Sequence, residues 1–505
     1  MSGHFRFLFA DDIHIHERNF KPLFRYVDKR SIPLETHREH DDLKRRQGDY
    51  DSDPALRPRV EALRALDRDS LFSYAHDHRL VPIRVFPLAR AEALAFALAT
   101  RDHWHASPVS AAEREVFDRL YERDRDILLW NMAAACFWID AWTDTLSSFD
   151  VPPTHAFVFS GSLIYGRVLM ELCKLQRTRC FVLEASFTGR EFYLEERYTP
   201  IANRSSIRHR AVRDALRLPE AAIPRMRERA KALQRVHLAA NKNVQQPDAA
   251  DLPRWAEPDR PTCLVLGQVA NDFSIIEQSS GYLSSIAFYR ELVQGLLDQT
   301  PYNVIFKGHP WEHKKTHLRR PLTKEAMLTL RASLPDAQQQ RFAVREHDNL
   351  VSIGNVVDRV VLLSSQGGIE LAYYCGLKPS TLGHAFWGGA GFSDDYASLD
   401  ELFADIATGR TRALLDLDEV EHLYDWLTRY LQLHLVTERT ASISQVQRKL
   451  ESAPQILLRT EPPSSAQSAI ERPLSERTVR KLRKLQRDPR SFFRDAKWVR
   501  KLRER

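Results

Sequence analysis

Short apolar runs that end in small or polar residues, each followed by a stretch of helical spacing, recur along the chain in two series. They restrict it to an α/β fold built on parallel sheets. In the first series, residues 5–10 form a strand-like run that leads into Asp11-Asp12-Ile13-His14 and a helix. Residues 156–159 form a strand followed by Ser160-Gly161-Ser162 and a helix over 163–175, and residues 180–183 form a strand that ends in Glu184. Strand, helix and strand at this spacing make a βαβ unit. A further strand is expected at 81–86, packed helix at 111–149, and charged helix at 208–242. In the second series, strands are expected at 262–267, 303–307 and 359–363, with helices at 281–299 and 368–375 and a late helix at 436–450.

A length of 505 residues exceeds what one core usually serves. Residues 245–261 are rich in Pro, Asp and Ala and break the periodicity, so they read as the linker between an N-terminal domain, 1–245, and a second domain, 262–450. The expected fold class is α/β, with two Rossmann-like domains facing a cleft. A composition of 43% hydrophobic and 28% charged residues is that of a globular chain. No run approaches the roughly 20 apolar residues of a membrane-spanning helix, and residues 1–6 lack the apolar core of a signal peptide. The five cysteines are scattered without a C-x-x-C pair, which suits reduced thiols in a cytosolic protein.

Charge is uneven. Residues 477–505 hold thirteen Lys/Arg against three Asp/Glu, a net of +10 in a chain whose total is +7, so the rest sums to −3. Residues 461–475 form a polar hinge before this tail. Val479, Leu482 and Leu485, then Phe492, Ala496 and Val499, recur at helical spacing among basic residues. Residues 474–505 are therefore expected to form a basic amphipathic tail on an anionic bilayer, with Lys481, Arg483, Lys484, Phe492, Phe493 and Trp498 at the surface. The plain alternative is a charged helix docked on the body. A nucleic-acid partner is not expected.

Four segments put chemistry-bearing residues at strand ends, where ligands of parallel sheets sit. Residues 304–310 read Val-Ile-Phe-Lys-Gly-His-Pro; Lys307 and His309 can meet a phosphate or carboxylate, and Pro310 stiffens the turn. An ordinary strand-end turn is the alternative. Residues 362–372 run from a strand through Ser364, Ser365, Gln366, Gly367 and Gly368 into a helix with Glu370 in its first turn. Free N–H groups at such a start bind anions, and the glycines permit close approach of a ligand. A capped βα turn is the alternative. Residues 264–274 carry Gln268 and Asp272, the latter also suited to cap a helix. Glu184 precedes an irregular stretch, 185–190, that reads as an active-site loop; otherwise it is an exposed strand-end carboxylate. Asp11, Asp12 and Ser162 are expected on the acceptor side. His14 and His16 share a strand face but have no convincing third ligand, so no metal is expected.

In order and spacing these segments resemble the capsule polysaccharide synthesis family that includes the retaining β-Kdo glycosyltransferases of GT-B type. The family's pattern is a strand followed by Gln and Asp, a Lys-x-His-Pro turn, an Asn-Ser-Ser/Thr-x-Gly-x-Glu-Ala helix start, and Gly-Lys-Pro. Here these are Gln268 and Asp272, Lys307-Gly308-His309-Pro310, Ser364-Ser365-Gln366-Gly367-Gly368-Ile369-Glu370-Leu371-Ala372, and Gly376-Leu377-Lys378-Pro379. Residues 181–187 resemble the family's strand, acidic residue and Gly-Phe segment, and the far tail resembles those of surface-polysaccharide enzymes. The resemblance covers residues 155–400. Ser364 stands where Asn is usual, Gln366 where Ser or Thr is usual, and Ala185-Ser186 where an acidic or amide residue and Gly are usual.

The resemblance implies transfer of an acidic sugar, Kdo from CMP-β-Kdo, to a lipid-linked surface polysaccharide with retention. It implies Asp272 as nucleophile and Glu184 as acid/base. Gln268, Lys307, His309, Pro310, Ser364, Ser365, Gly368 and Glu370 would bind the donor, without metal or other cofactor. His309 and Ser365 are expected to face one phosphate from adjacent strand ends. The expected setting is the cytoplasmic face of the inner membrane, with other polysaccharide assembly proteins as possible partners. Two alternatives stay open: an inverting transferase using a nucleotide-diphosphate sugar, and a non-catalytic capsule synthesis or export scaffold.

Overall fold

The computed structural model describes residues 5–77, 81–106, 110–217, 220–239, 252–278, 281–315, 317–410, 412–437 and 442–452. The tail and its expected membrane residues lie outside these. Met1–Arg459 form one compact unit that holds two six-stranded sheets.

The first half contains β1 (Phe7–Phe9), β2 (Leu34–Thr36), β3 (His155–Phe159), β4 (Arg179–Ala185) and β5 (Glu191–Glu196). Its helices are α1 (Glu17–Arg30), α2 (Phe86–Thr100), α3 (Glu113–Arg123), α4 (Arg125–Ser147) and α5 (Ile164–Gln176). After α6 (Ile223–Ala239), the second half runs through β6 (Thr262–Leu266), α7 (Phe273–Ile276), α8 (Ser285–Gln299), β7 (Asn303–Lys307), α9 (Leu322–Ser333), β8 (Phe342–Arg345) and β9 (Arg359–Leu362). It continues through α10 (Gly367–Cys375), β10 (Pro379–Thr381), β11 (Asp394–Asp395) and α11 (Leu417–Arg429). A π-helical turn, Tyr430–His434, then leads to β12 (Val436–Thr437) and α12 (Ile443–Glu451).

The second sheet is ordered β8-β7-β6-β9-β10-β11 and is parallel throughout. That is the Rossmann order, with its switch point between β6 and β9. The first sheet is ordered β12-β5-β4-β3-β1-β2. Its strands β2, β1, β3 and β4 are parallel, so its switch point lies between β1 and β3. Strands β1, β6, β7 and β9 are buried along their whole length, which is why they read as unbroken apolar runs.

The pleat sends alternate residues to two cores. Leu8, Ala156 and Val182 meet Trp138 and Trp142 of α4 in a cluster that continues into Leu264, Leu362, Trp387 and Trp426 of the second half. Phe7, Phe9, Phe157, Phe181 and Leu183 pack with Tyr26 and Val27 of α1 and with Val446 and Leu450 of α12. Cys263, Val265, Phe306 and Val361 pack on Phe288, Leu292 and Leu296 of α8.

Several local expectations change. The strand expected at 81–86 shrinks to a two-residue ladder, Ile83–Arg84 with Ala75–His76, because Pro87 starts α2 at Phe86. The packed helix of 111–149 breaks at Asp124, which accepts from Trp104 Nε1 (2.7 Å) and bonds His103 (2.8 Å). The charged stretch 208–242 divides into Arg210–Ala215 and α6. The late helix 436–450 is β12 followed by α12, and both return to the first sheet instead of closing the second domain.

Candidate functional site

At the second switch point Gln268 ties the two strand ends together. Its Oε1 accepts from the backbone N–H of Ser364 (2.8 Å), and its Nε2 donates to Ser274 Oγ (3.1 Å) and Ser364 Oγ (3.4 Å). Its own N–H donates to the Tyr289 hydroxyl (2.8 Å). Asp272, four residues on, is the N-cap of α7 and accepts from Ser274 N (2.9 Å). Ser365 Oγ accepts from Gly367 N (3.3 Å) at the start of α10. The glycines there are needed for packing. A Cβ on Gly367 would lie 2.7 Å from Leu266, and one on Gly368 would lie 2.8 Å from the Trp387 ring.

The Lys-Gly-His-Pro turn ends β7. His309 Nδ1 accepts from Trp311 N (3.2 Å), so a neutral ring carries its proton on Nε2. His309 and Ser365 do not come from adjacent strands, because β6 and the Gln268 turn lie between β7 and β9. Lys307 is buried and donates to the Glu346 carbonyl (3.1 Å). Burial pulls its pKa down to about 8, against the charges of Asp348, Glu370 and Glu346. Glu370 is buried on α10; burial pushes its pKa up to about 7, with Lys307 opposing. The pair thus places a weakened cation and a weakened acid behind the turn.

Two residues the motifs did not single out hold this region. Glu312, two past Pro310, accepts from Ala270 N (2.8 Å) and from Thr323 N (2.9 Å) and Oγ1 (2.6 Å). It therefore fastens the Asp272 loop to the start of α9. Tyr289 braces Gln268 from α8. A buried acceptor-only carboxylate meeting three donors was not legible from the sequence, because its partners come from separate segments.

On the first sheet Asp11 and Ser162 do flank the switch point, but both are fully buried. Asp11 accepts from Tyr165 Oη (2.7 Å) and His14 N (2.6 Å). Burial alone would raise its carboxyl, and the bonds from His14 and Tyr165 outweigh that and hold it below the usual range. Asp12 pairs with Arg38 (2.9 Å) nearer the surface. His14 stacks on Phe159, while His16 bonds Asn19. No cluster of three or more metal-type ligands occurs among the described residues.

Glu184 shares the pleat face of Cys180 and Val182, whose core runs into the second half. The stretch 185–190, expected as an irregular loop, is the turn of a β-hairpin. Ser186 N donates to Glu191 O (2.8 Å), and Gly189 takes φ 73°. The π-helical turn supports it, with the Tyr430 hydroxyl bonded to Ser186 Oγ (2.9 Å) and to the Tyr193 hydroxyl (2.7 Å).

Backbone bonds and the Asn203 side-chain amide connect the two switch points. Ser160 N donates to Leu183 O (2.8 Å), beside Glu184, and Ile201 N donates to Ser160 O (3.0 Å). Asn203, two residues on, bonds across to the His384 carbonyl (2.6 Å) and to Phe386 N (2.9 Å). Gly383 N in turn donates to Leu363 O (3.0 Å), next to Ser364. The carboxyl ends of both sheets therefore meet at one seam.

Two Rossmann-like halves joined through their switch points define a GT-B-type fold. Residues 209–430 match the family model described as capsule polysaccharide biosynthesis protein. No curated protein matches the chain. Among solved structures, the β-Kdo 2,4 transferase KpsC of Thermosulfurimonas dismutans is 19% identical with a TM-score of 0.39, over 56% of this chain and 81% of that one. The β-Kdo 2,7 transferase KpsC of the same organism is 16% identical with a TM-score of 0.35, over 62% and 89%. An α,α-trehalose-phosphate synthase (UDP-forming) from Burkholderia xenovorans is 10% identical with a TM-score of 0.30, over 89% and 100%. Among the described residues no helix is long and apolar enough to cross a membrane.

Proposed function

We infer that the protein is a glycosyltransferase of capsule or related surface polysaccharide synthesis that moves Kdo from CMP-β-Kdo to a lipid-linked glycan, with retention. The observation that carries this is the second switch point. There Gln268 binds the two strand ends and sets Asp272 at the start of α7, within the segment that matches the capsule family. In this reading His309 and Ser365 hold the donor phosphate, and Gln268 and Ser364 fix the turn between them. Asp272 Oδ attacks the anomeric carbon as the bond to CMP breaks, giving a glycosyl ester and free CMP. The acceptor hydroxyl then attacks the same carbon, Glu184 takes its proton, and the Asp272 carboxylate is released. Two inversions give retention.

Full-length protein incubated with CMP-Kdo and a lipid-linked acceptor should release CMP and add one Kdo mass to the acceptor. Asp272→Asn should abolish transfer while leaving the thermal midpoint near wild type, since Asn also caps helices. Near-normal transfer by that variant would remove Asp272 from the role. Turnover of UDP-glucose in place of CMP-Kdo would assign a different donor.

A further inference from the structure

The short helix α7 carries Asp272 at its start and ends against the first half. Asp272 is its N-cap and Glu277 its C-cap, so a single helical turn separates the two. The second half holds the start of this turn. Gln268 Nε2 donates to Ser274 Oγ (3.1 Å), and Glu312 accepts from Ala270 N (2.8 Å). The last carbonyls of a helix have no partner within it, and here guanidinium groups of the first half take them. Arg90 of α2 donates through Nη1 to the Ile276 carbonyl (3.0 Å) and through Nη2 to the Ala111 carbonyl (3.2 Å). Arg204, next to Asn203 of the seam, donates through Nη2 to the Glu277 carbonyl. Arg167 of α5 pairs through Nη2 with the Glu277 carboxylate and donates through Nη1 to the Pro87 carbonyl (3.2 Å) at the start of α2. Three separate segments of the first half thus converge on two consecutive residues of the second.

The Glu277 and Arg167 side chains are both largely buried. Burial lowers the Arg90 pKa, with the charge of Glu277 opposing and that of Arg167 lowering it further, so the Glu277 carboxylate acts on more than its own partner. A buried ion pair adds little net stability over an apolar pair of the same shape. What it does fix is geometry, because a planar guanidinium tolerates a narrow range of approach. Ile276 joins the core shared by the two halves, and Ile275 the core beneath α8, so α7 is gripped on both sides. Asp272 lies in sequence between the Glu312 anchor at Ala270 and the arginine contacts at 276 and 277.

We propose that Glu277 is a positioning residue for transfer. With Arg90, Arg167 and Arg204 it clasps the end of α7 to the first half. It thereby fixes Asp272, carried by the second half, against the groups that the first half brings to the reaction, Glu184 among them. This role rests on the reading of Asp272 as nucleophile and adds to it a residue that acts through another. Without the clasp, the turn bearing Asp272 keeps only its anchors in the second half.

The test is steady-state kinetics on the full-length chain with CMP-Kdo and a lipid-linked acceptor, with calorimetric titration of CMP on the same samples. Bound CMP counts folded donor sites, so kcat is expressed per site and loss of folded protein does not enter it. Glu277→Ala, Arg167→Met and the double variant are compared with wild type. Each single variant should lower kcat per site about tenfold or more, while KM for CMP-Kdo and CMP affinity stay within about twofold. The double variant should lose no more than either single one, since partners in one contact do not add. If Glu277→Ala binds no CMP, Glu277→Gln, which keeps an acceptor for Arg167, is read in its place. Variants with wild-type kcat per site overturn the positioning role. So does a change confined to KM, or a loss that multiplies in the double variant. Asp272→Asn, run alongside, separates the two readings. If it is inactive while the Glu277 variants keep wild-type kcat, Glu277 loses its role and Asp272 stands. Near-normal transfer by Asp272→Asn, or no transfer by wild type, overturns both.

Discussion

Gln268 shows what a single side chain contributes where two strand ends diverge. A switch point leaves backbone donors with no neighbouring strand, and a buried unpaired donor costs about 1–3 kcal/mol. The amide answers with an acceptor for Ser364 N and donors for two hydroxyls. A carboxylate could accept from Ser364 but could not donate to them. His309 acts at the same scale. With Nδ1 engaged by Trp311 N, its Nε2 proton is the one a phosphate would meet. Losing one charge-assisted bond costs on the order of 1.5–3 kcal/mol, so His309→Ala should weaken CMP binding about tenfold or more by calorimetry. Unchanged affinity would detach His309 from the donor. Gln268, Asp272, His309 and Ser365 were legible because each lies within about six residues of the end of an apolar run. Glu312 and Asn203 were not, since their partners lie in distant segments and a lone Glu or Asn carries no periodic signal. Lys307 was legible as a residue but not as a buried one, because strand alternation does not say how far an ammonium reaches.

Among the elements, α5 shows why a helix start after a parallel strand need not be an anion site. Its first N–H, on Ile164, donates to Glu92 Oε1 (2.5 Å) from α2, and Glu92 Oε2 accepts from the Tyr50 hydroxyl (2.8 Å). A carboxylate of the protein thus occupies the position a ligand anion would take. Burial pushes the Glu92 pKa up to about 7, although the bonds from Ile164, Tyr50 and Gly48 oppose it. Below the unfolded value near 4.5 both states are protonated, and the group does not alter stability. As pH rises from there through about 7, the unfolded chain releases its proton more readily than the folded one, and stability falls. Glu312 and Glu370 lose stability over the same window. Glu92→Gln keeps an acceptor for Ile164 N without ionising, and its amide N–H would donate to the Tyr50 oxygen where the carboxylate accepts from it. The wild-type decline between pH 4.5 and 7 should therefore be shallower in the variant, by on the order of 2–3 kcal/mol, in urea unfolding at several pH values. Parallel slopes would show that Glu92 does not titrate in this range. The short strands β2, β8, β10, β11 and β12 were not expected, whereas β1, β3, β4, β6, β7 and β9 could be read from the sequence because burial leaves continuous apolar runs. The hairpin at 185–190 could not, because its second strand carries charged Glu191, Glu195 and Glu196, whose partners are fixed by the fold.

For the whole molecule, the sequence divides its charge in a way that the two halves do not explain. The body sums to −3 and the last 29 residues to +10. Under the proposed function the acceptor is lipid-linked, and a mildly acidic body would gain nothing from an anionic surface. If the tail meets such a surface, each Lys or Arg held near it would add about 1 kcal/mol, an attraction that salt would screen. On helices, the apolar positions Val479, Leu482 and Leu485, then Phe492, Ala496 and Val499, would fall on one face of each stretch, with Pro489 between the two in the sequence. Trp498 and the Phe492-Phe493 pair have the amphipathic or aromatic character that settles at headgroup depth. Deleting residues 474–505 should leave the thermal midpoint and transfer to a soluble acceptor unchanged, because both sheets and the seam lie in Met1–Arg459. The same deletion should abolish sedimentation with vesicles containing anionic lipid, and raising salt should release the full-length protein in the same assay. A truncated chain that unfolds would mean that the apolar stripe packs on the body. A truncated chain that still binds vesicles would place the membrane contact on another surface.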